Sequence, residues 1–130
     1  MKTVVDIVDA IFSKLKLELI NTPVYKFKRE DTVGPDDLPE HYIVVNSLPL
    51  SDDHVSAGVV NVNIYARDMN NILGIPDAEL LNEATKEVKS ALNEWFEDDV
   101  TLVIQQHSLI REKELHQHYV NLRFVVNILN

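Results

Sequence analysis

The sequence predicts an α+β fold: a two-layer domain whose mostly antiparallel sheet of about five strands carries two helices on one face, in the order α-β-β-β-α-β-β. Three observations predict it. Two segments repeat apolar residues every three or four positions, the period of a helix with one buried stripe. Five others read as strands, most with a period of two and one apolar face. Short connections favour antiparallel neighbours, and a single apolar face per strand calls for helices on one side only.

The first helix follows Thr3, whose hydroxyl can cap an unpaired amide of the first turn. Val4, Ile7, Val8, Ile11, Phe12 and Leu15 form its stripe, and Pro23 stops it by forcing residue 22 out of the helical region. Residues 24–29 alternate as a strand, with Tyr25 and Phe27 against Lys26 and Lys28. Residues 30–40 are acidic and hold two prolines and a glycine, so they form a long loop. Residues 41–47 make the second strand and residues 48–56 a connector.

Residues 58–66 are the third strand, with Val60, Val62 and Ile64 on one face and Val59, Asn61, Asn63 and Tyr65 on the other. A loop over 67–75 contains Asn70, Asn71 and Gly74. The second helix is expected over 76–96, with Leu80, Leu81, Ala84, Val88, Ala91, Leu92 and Trp95 as its stripe and Pro76, Asp77 and Glu79 in its first turn.

Residues 100–110 and 116–129 are two long strands. Val120, Leu122, Phe124, Val126 and Ile128 point one way, and Tyr119, Asn121, Arg123, Val125 and Asn127 the other. Val100, Leu102 and Ile104 are the core set of the partner strand. Even parity on both sides predicts a hairpin that sets Ile104 opposite Leu122 and His107 opposite Tyr119, unless a bulge breaks the parity.

The chain has 130 residues, 45% hydrophobic, which suits one domain spanning 1–130. No apolar run reaches the ~18 residues of a membrane span, and Asp6 and Asp9 interrupt the N-terminal apolar stretch, so a soluble, cytosolic protein without a secretory leader is expected. The absence of cysteine excludes disulfides and thiolate metal sites. A net charge of −9 argues against general nucleic-acid binding, because the one basic cluster, Lys26, Lys28 and Arg29, runs directly into Glu30 and Asp31.

Three sets of residues invite a chemical reading. His116 and His118 form an H-x-H that a strand would place on one face, with His107 as a third ligand only if the register allowed it, and with His41 and His54 in or near loops. A metal-dependent or acid/base enzyme using His107, His116 and His118 is one alternative, and a binding module for a small ligand another. Asp36, Asp37, Asp52 and Asp53 lie in loops without the spacing of a cation-binding loop, and a solvated acidic surface is the simpler reading. No nucleophile elbow, zincin motif or glycine-rich phosphate loop occurs, and neither a cofactor nor a catalytic residue is expected. The third set is Asn46, Asn61, Asn63, Asn121 and Asn127, poor strand formers placed in strands. Four of them share a face with Tyr65 and Tyr119, which is either a solvated sheet or a surface that meets another subunit, where neutral amides desolvate at lower cost than charges.

The segments VVDIVDAIFSKLKLE, VYKFKRE, PEHYIVVNSLPL, VVNVNIYARD, ELLNEATKEVKSALNE and YVNLRFVVNI, in that order and spacing, resemble small structural proteins of tailed phages and prophages. The resemblance is to the tail-terminator, or tail-completion, family, with head–tail joining proteins next. It spans nearly the whole chain as a match of order and texture, without an invariant motif. It implies a non-enzymatic protein that self-associates, as a hexameric ring in such families, and contacts tail-tube and head–tail connector proteins. Assembly would occur in the host cytoplasm, ending in the virion. The loops at 30–40 and 67–75 then become contact arms. The candidate contact residues are Asp36, Asp37, Asn61, Asn63, Tyr65, Asn70, Asn71, Tyr119, Asn121 and Arg123. The acidity of the first loop departs from what a DNA-lining arm would carry. A head–tail connector adaptor is the neighbouring reading.

Overall fold

Ile7, Val8, Ile11 and Leu15 recur at helical spacing, and in the computed structural model they line the buried side of helix α1 (Val4–Glu18). The structure describes residues 4–27, 39–47, 57–70, 72–92, 96–97 and 100–128. The expected Thr3 cap, the acidic pairs Asp36–Asp37 and Asp52–Asp53, His54, Asn71 and Trp95 lie outside these residues. After α1 come β1 (Val24–Lys26), β2 (His41–Ser47), β3 (Ala57–Arg67), α2 (Ala78–Leu92), β4 (Phe96–Glu97), β5 (Val100–Glu112), a 3-10 turn (Lys113–Leu115) and β6 (Gln117–Ile128). The strands form one sheet in the order β1-β2-β3-β6-β5-β4. The α+β expectation holds, with two-residue β4 added to the five expected strands.

Both helices lie on one face of the sheet. Their buried residues, with Leu81, Ala84, Val88 and Leu92 from α2, join Ile43, Val45, Val60, Val62, Ile64, Leu122, Phe124 and Val126 in a single core. Asp6 in the first turn and Lys16 in the last suit the dipole of α1. Phe12, partly buried, sits between two cations, with Lys16 Nζ and Lys26 Nζ each 5.1 Å from its ring centre.

Several element ends, and one strand direction, differ from the sequence reading. β1 ends at Lys26 because Phe27 takes a left-handed backbone (φ 64), which a bulky side chain in a strand cannot hold. Its N–H still donates to Val45 O at 2.6 Å. β1 also runs parallel to β2, with Val24 beside Ile43, and not antiparallel. The long link over 27–40 supplies the chain length that a parallel crossover needs. Helix α2 begins after Pro76, because Asp77 Oδ1 accepts from Leu80 N–H at 3.2 Å and acts as the cap. Phe96 is no longer helical: with Glu97 it pairs Thr101 and Val100 at the start of β5.

The β5–β6 register carries the largest correction. Ile104 lies opposite Phe124 rather than Leu122, and His107 opposite Leu122 rather than Tyr119. The register shifts between Ile104 and Gln106, which leaves Gln105 as an extra residue in β5. Before that point even-numbered residues of β5 share the helix-side face; after it, odd-numbered ones do.

The helices cover little of β5 beyond Leu102, which joins the core, and His107, which Lys89 Nζ reaches. Two helices about 10 Å wide cover roughly 20 Å, or about four strands at ~4.8 Å spacing. Helix α1 packs on β1 and β2, and α2 on β3 and β6. Ile104 and Leu109 therefore face the helix side yet remain 36% and 55% exposed, although Ile104 was expected in the core.

Candidate functional site

The other face of the sheet is built rung by rung from strand register. Asn46, Asn61 and Arg123 form one rung, Val44, Asn63 and Asn121 the next, and Tyr42, Tyr65 and Tyr119 the third. Asn121 Nδ2 donates to Asn63 Oδ1 at 2.6 Å and to Asn61 Oδ1 at 3.2 Å. Asn61 Nδ2 donates to Asn46 Oδ1 at 3.2 Å, and Arg123 Nε to Asn61 Oδ1 at 3.4 Å. Asn61, Asn63 and Asn121 are buried. Their amides satisfy one another, so burial costs little in lost hydrogen bonds.

The tyrosine rung stacks at strand spacing. The Tyr42 and Tyr65 ring centres are 4.7 Å apart and nearly parallel, and Tyr65 and Tyr119 are again 4.7 Å apart with a 30° tilt. Tyr25 meets Tyr42 edge-on at 6.1 Å. Tyr42 Oη donates to Gln117 Oε1 at 3.1 Å, and Gln117 Nε2 donates to Glu112 Oε1 at 3.0 Å. Burial, aided by the negative charge of Glu112, pushes the Tyr65 phenol well above its ordinary value. Tyr65, Tyr119 and Arg123 remain partly exposed. Of the sequence-predicted contacts, this face brings together Asn61, Asn63, Tyr65, Tyr119, Asn121 and Arg123. It adds Asn46, Tyr42 and Gln117. The alternation of Tyr42, Val44 and Asn46 against Ile43 and Val45 was the available signal for β2.

The second region in which the sequence predicts contacts is the loop after β3. Asn70 shapes it: its Oδ1 accepts from Ile72 N–H at 3.1 Å and Leu73 N–H at 2.9 Å, and its backbone bridges Ile75. Gly74 has φ 67, and the Arg111 guanidinium lies so close that a Cβ there would collide with it. This tight turn leaves Met69, Ile72 and Leu73 exposed, Ile72 by 89%. Asn70, the predicted contact residue, is exposed beside them.

The histidines do not converge. His116 has φ 53 in the turn before β6, so it is not a strand residue and the H-x-H face does not form. His118 Nδ1 instead lies 2.6 Å from Asp68 Oδ1, with both side chains buried. His107, on the helix-side face, has Nδ1 3.3 Å from Lys89 Nζ; desolvation first, and the Lys89 charge second, lower its pKa below the usual value. His41 Nε2 lies 3.3 Å from Thr22 Oγ1, beside an open groove between the end of α1 and α2. Among the described residues, no group of three or more histidines and carboxylates is placed to hold a metal ion. No helix there is long and apolar enough to cross a membrane.

No family model matches this chain, and no curated protein matches it. Among solved structures, it is similar to a chain in the virion of a native gene transfer agent particle, at 18% identity and a TM-score of 0.61, covering 98% of both chains. At that identity the likeness is one of fold, and it extends over the full length of both chains.

Proposed function

We propose that the chain is a non-enzymatic structural protein of a phage or prophage virion, which self-assembles and caps or completes the tail. The observation that carries this reading is the end-to-end fold likeness to a virion chain. It agrees with the order of segments that resembles tail-terminator proteins. Its partners would be copies of itself, as a ring closed by head-to-tail contacts, together with tail-tube and head–tail connector proteins. Assembly in the host cytoplasm and residence in the virion follow from the same reading.

The physical work of such a protein is burial of surface at protein contacts. The turn carrying Met69, Ile72 and Leu73 supplies exposed apolar area on a rigid support. The tyrosine–amide face supplies a neutral surface with Tyr65, Tyr119 and Arg123 partly open. The acidic segment holding Asp36 and Asp37 is the third proposed contact. Negative-stain microscopy of the concentrated protein, with and without tail tubes, tests the reading. Closed rings seated on tube ends support it. Rings that bind only the head connector point to the adaptor role, and failure to bind either one overturns both.

A further inference from the structure

Strand β5 breaks the rules that normally keep sheet edges apart. Beyond its contact with β4 at Val100 and Thr101, its outer edge pairs with no strand among the described residues. Natural edges are short, charged, or carry proline. This one runs from Leu102 to Glu112, and residues 100–110 hold no Asp, Glu, Lys, Arg or Pro, in a chain that is 25% charged with net −9. Val103, Ile104, Leu109 and Ile110 are all large, apolar and at least 36% exposed.

We infer that the β5 edge is a self-docking site, at which a second copy of this chain adds its own β5 antiparallel across a two-fold axis at His107. The bulge decides the register. With Gln105 outside the ladder, Leu102, Ile104, His107, Leu109 and Arg111 share the helix-side face, and Val103, Gln106, Ser108 and Ile110 the other. Placing His107 opposite His107 of the second copy sets Ile104 against Leu109, Val103 against Ile110, and Gln106 against Ser108. Every exposed apolar residue of the strand then meets another on its own face, as cross-strand packing requires. Without the bulge, Ile104 and Leu109 would sit on opposite faces, and no register could match both apolar pairs. Residues 100–110, without Asp, Glu, Lys or Arg, add no like-charge pair to a contact between two acidic chains. On the helix side the Lys89 ammonium lies 3.3 Å from His107 Nδ1. An extended segment from a different protein would meet the same backbone but has no reason to match these pairs. A two-fold dimer stands independently of the tail-completion reading, since a two-fold contact and the head-to-tail contact of a ring are different kinds of interface.

The chain has no cysteine, so single introduced thiols report the register directly. His107→Cys places two thiols directly opposite, with Cα atoms about 4.5–5.5 Å apart and within disulfide range. Val103→Cys places its two thiols six rungs apart, about 20 Å. Under mild oxidation of the full chain, His107→Cys is expected to give a covalent dimer and Val103→Cys none. The paired Val103→Cys/Ile110→Cys variant is expected to form a dimer as well. In sedimentation of the cysteine-free chain, Ile104→Lys should raise the dimer dissociation constant about tenfold or more. A His107→Cys protein that stays monomeric, or a Val103→Cys protein that cross-links equally well, overturns the proposal. So does a wild-type chain that sediments as a monomer at every concentration.

Discussion

Asp68 Oδ1 lies 2.6 Å from His118 Nδ1, with the carboxylate side chain 1% exposed and the imidazole 9%. Asp68 follows β3 and opens the apolar turn, while His118 lies near the start of β6, so the pair fastens the turn to the sheet. A backbone bond from Asp68 N–H to His116 O at 2.9 Å reinforces the junction. Removing one partner leaves the other buried without its hydrogen bond. His118→Ala is expected to destabilise the fold by about 3 kcal/mol, and Asp68→Asn, which keeps an acceptor oxygen, by about 1 kcal/mol. Urea unfolding of both variants checks the ranking, and equal losses would show that the carbonyl oxygen cannot replace the carboxylate.

The tyrosine stack makes stability depend on alkaline pH. Burial raises the folded-state pKa of Tyr65 above its ordinary value of 10.0. A raised folded-state pKa means that the unfolded chain loses its phenolic proton first. The stabilisation is therefore complete below about pH 10 and declines as pH rises beyond it. Tyr65→Phe removes that ionisation. Its urea midpoint should fall less steeply than wild type on the alkaline side.

Gly74→Ala tests the turn that displays Met69, Ile72 and Leu73. At φ 67 an added Cβ strains the backbone, and it also meets the Arg111 guanidinium. The guanidinium can swing away, so the backbone term dominates. A loss of about 1 kcal/mol is expected, with the increase in amide hydrogen exchange confined to the turn. Unchanged exchange there would show that the turn does not depend on the glycine.

Thr85 carries a buried hydroxyl without a hydrogen-bond partner, on the core side of α2. Thr85→Val keeps the shape and removes the unsatisfied oxygen. It is expected to raise stability by about 1 kcal/mol in thermal or urea unfolding; a loss would mean that the hydroxyl is solvated in the folded protein.

Periodicity made much of this fold legible from the residues alone. The stripe Ile7, Val8, Ile11 and Leu15 and the alternation of Val60, Val62 and Ile64 against Asn61, Asn63 and Tyr65 are local consequences of 3.6- and 2-residue repeats. They placed both helices on one side of the sheet and the asparagines and tyrosines on the other. Partner choice and offset are not local. Only the folded chain set β1 parallel to β2, drew Phe96 out of the helix into β4, and left Gln105 as an extra residue that turned His107 to the helix side. It also brought Asp68 to His118 across fifty positions of sequence. The side-chain repeat of a strand determines which residues share a face, whereas register and neighbours depend on how distant segments pack together.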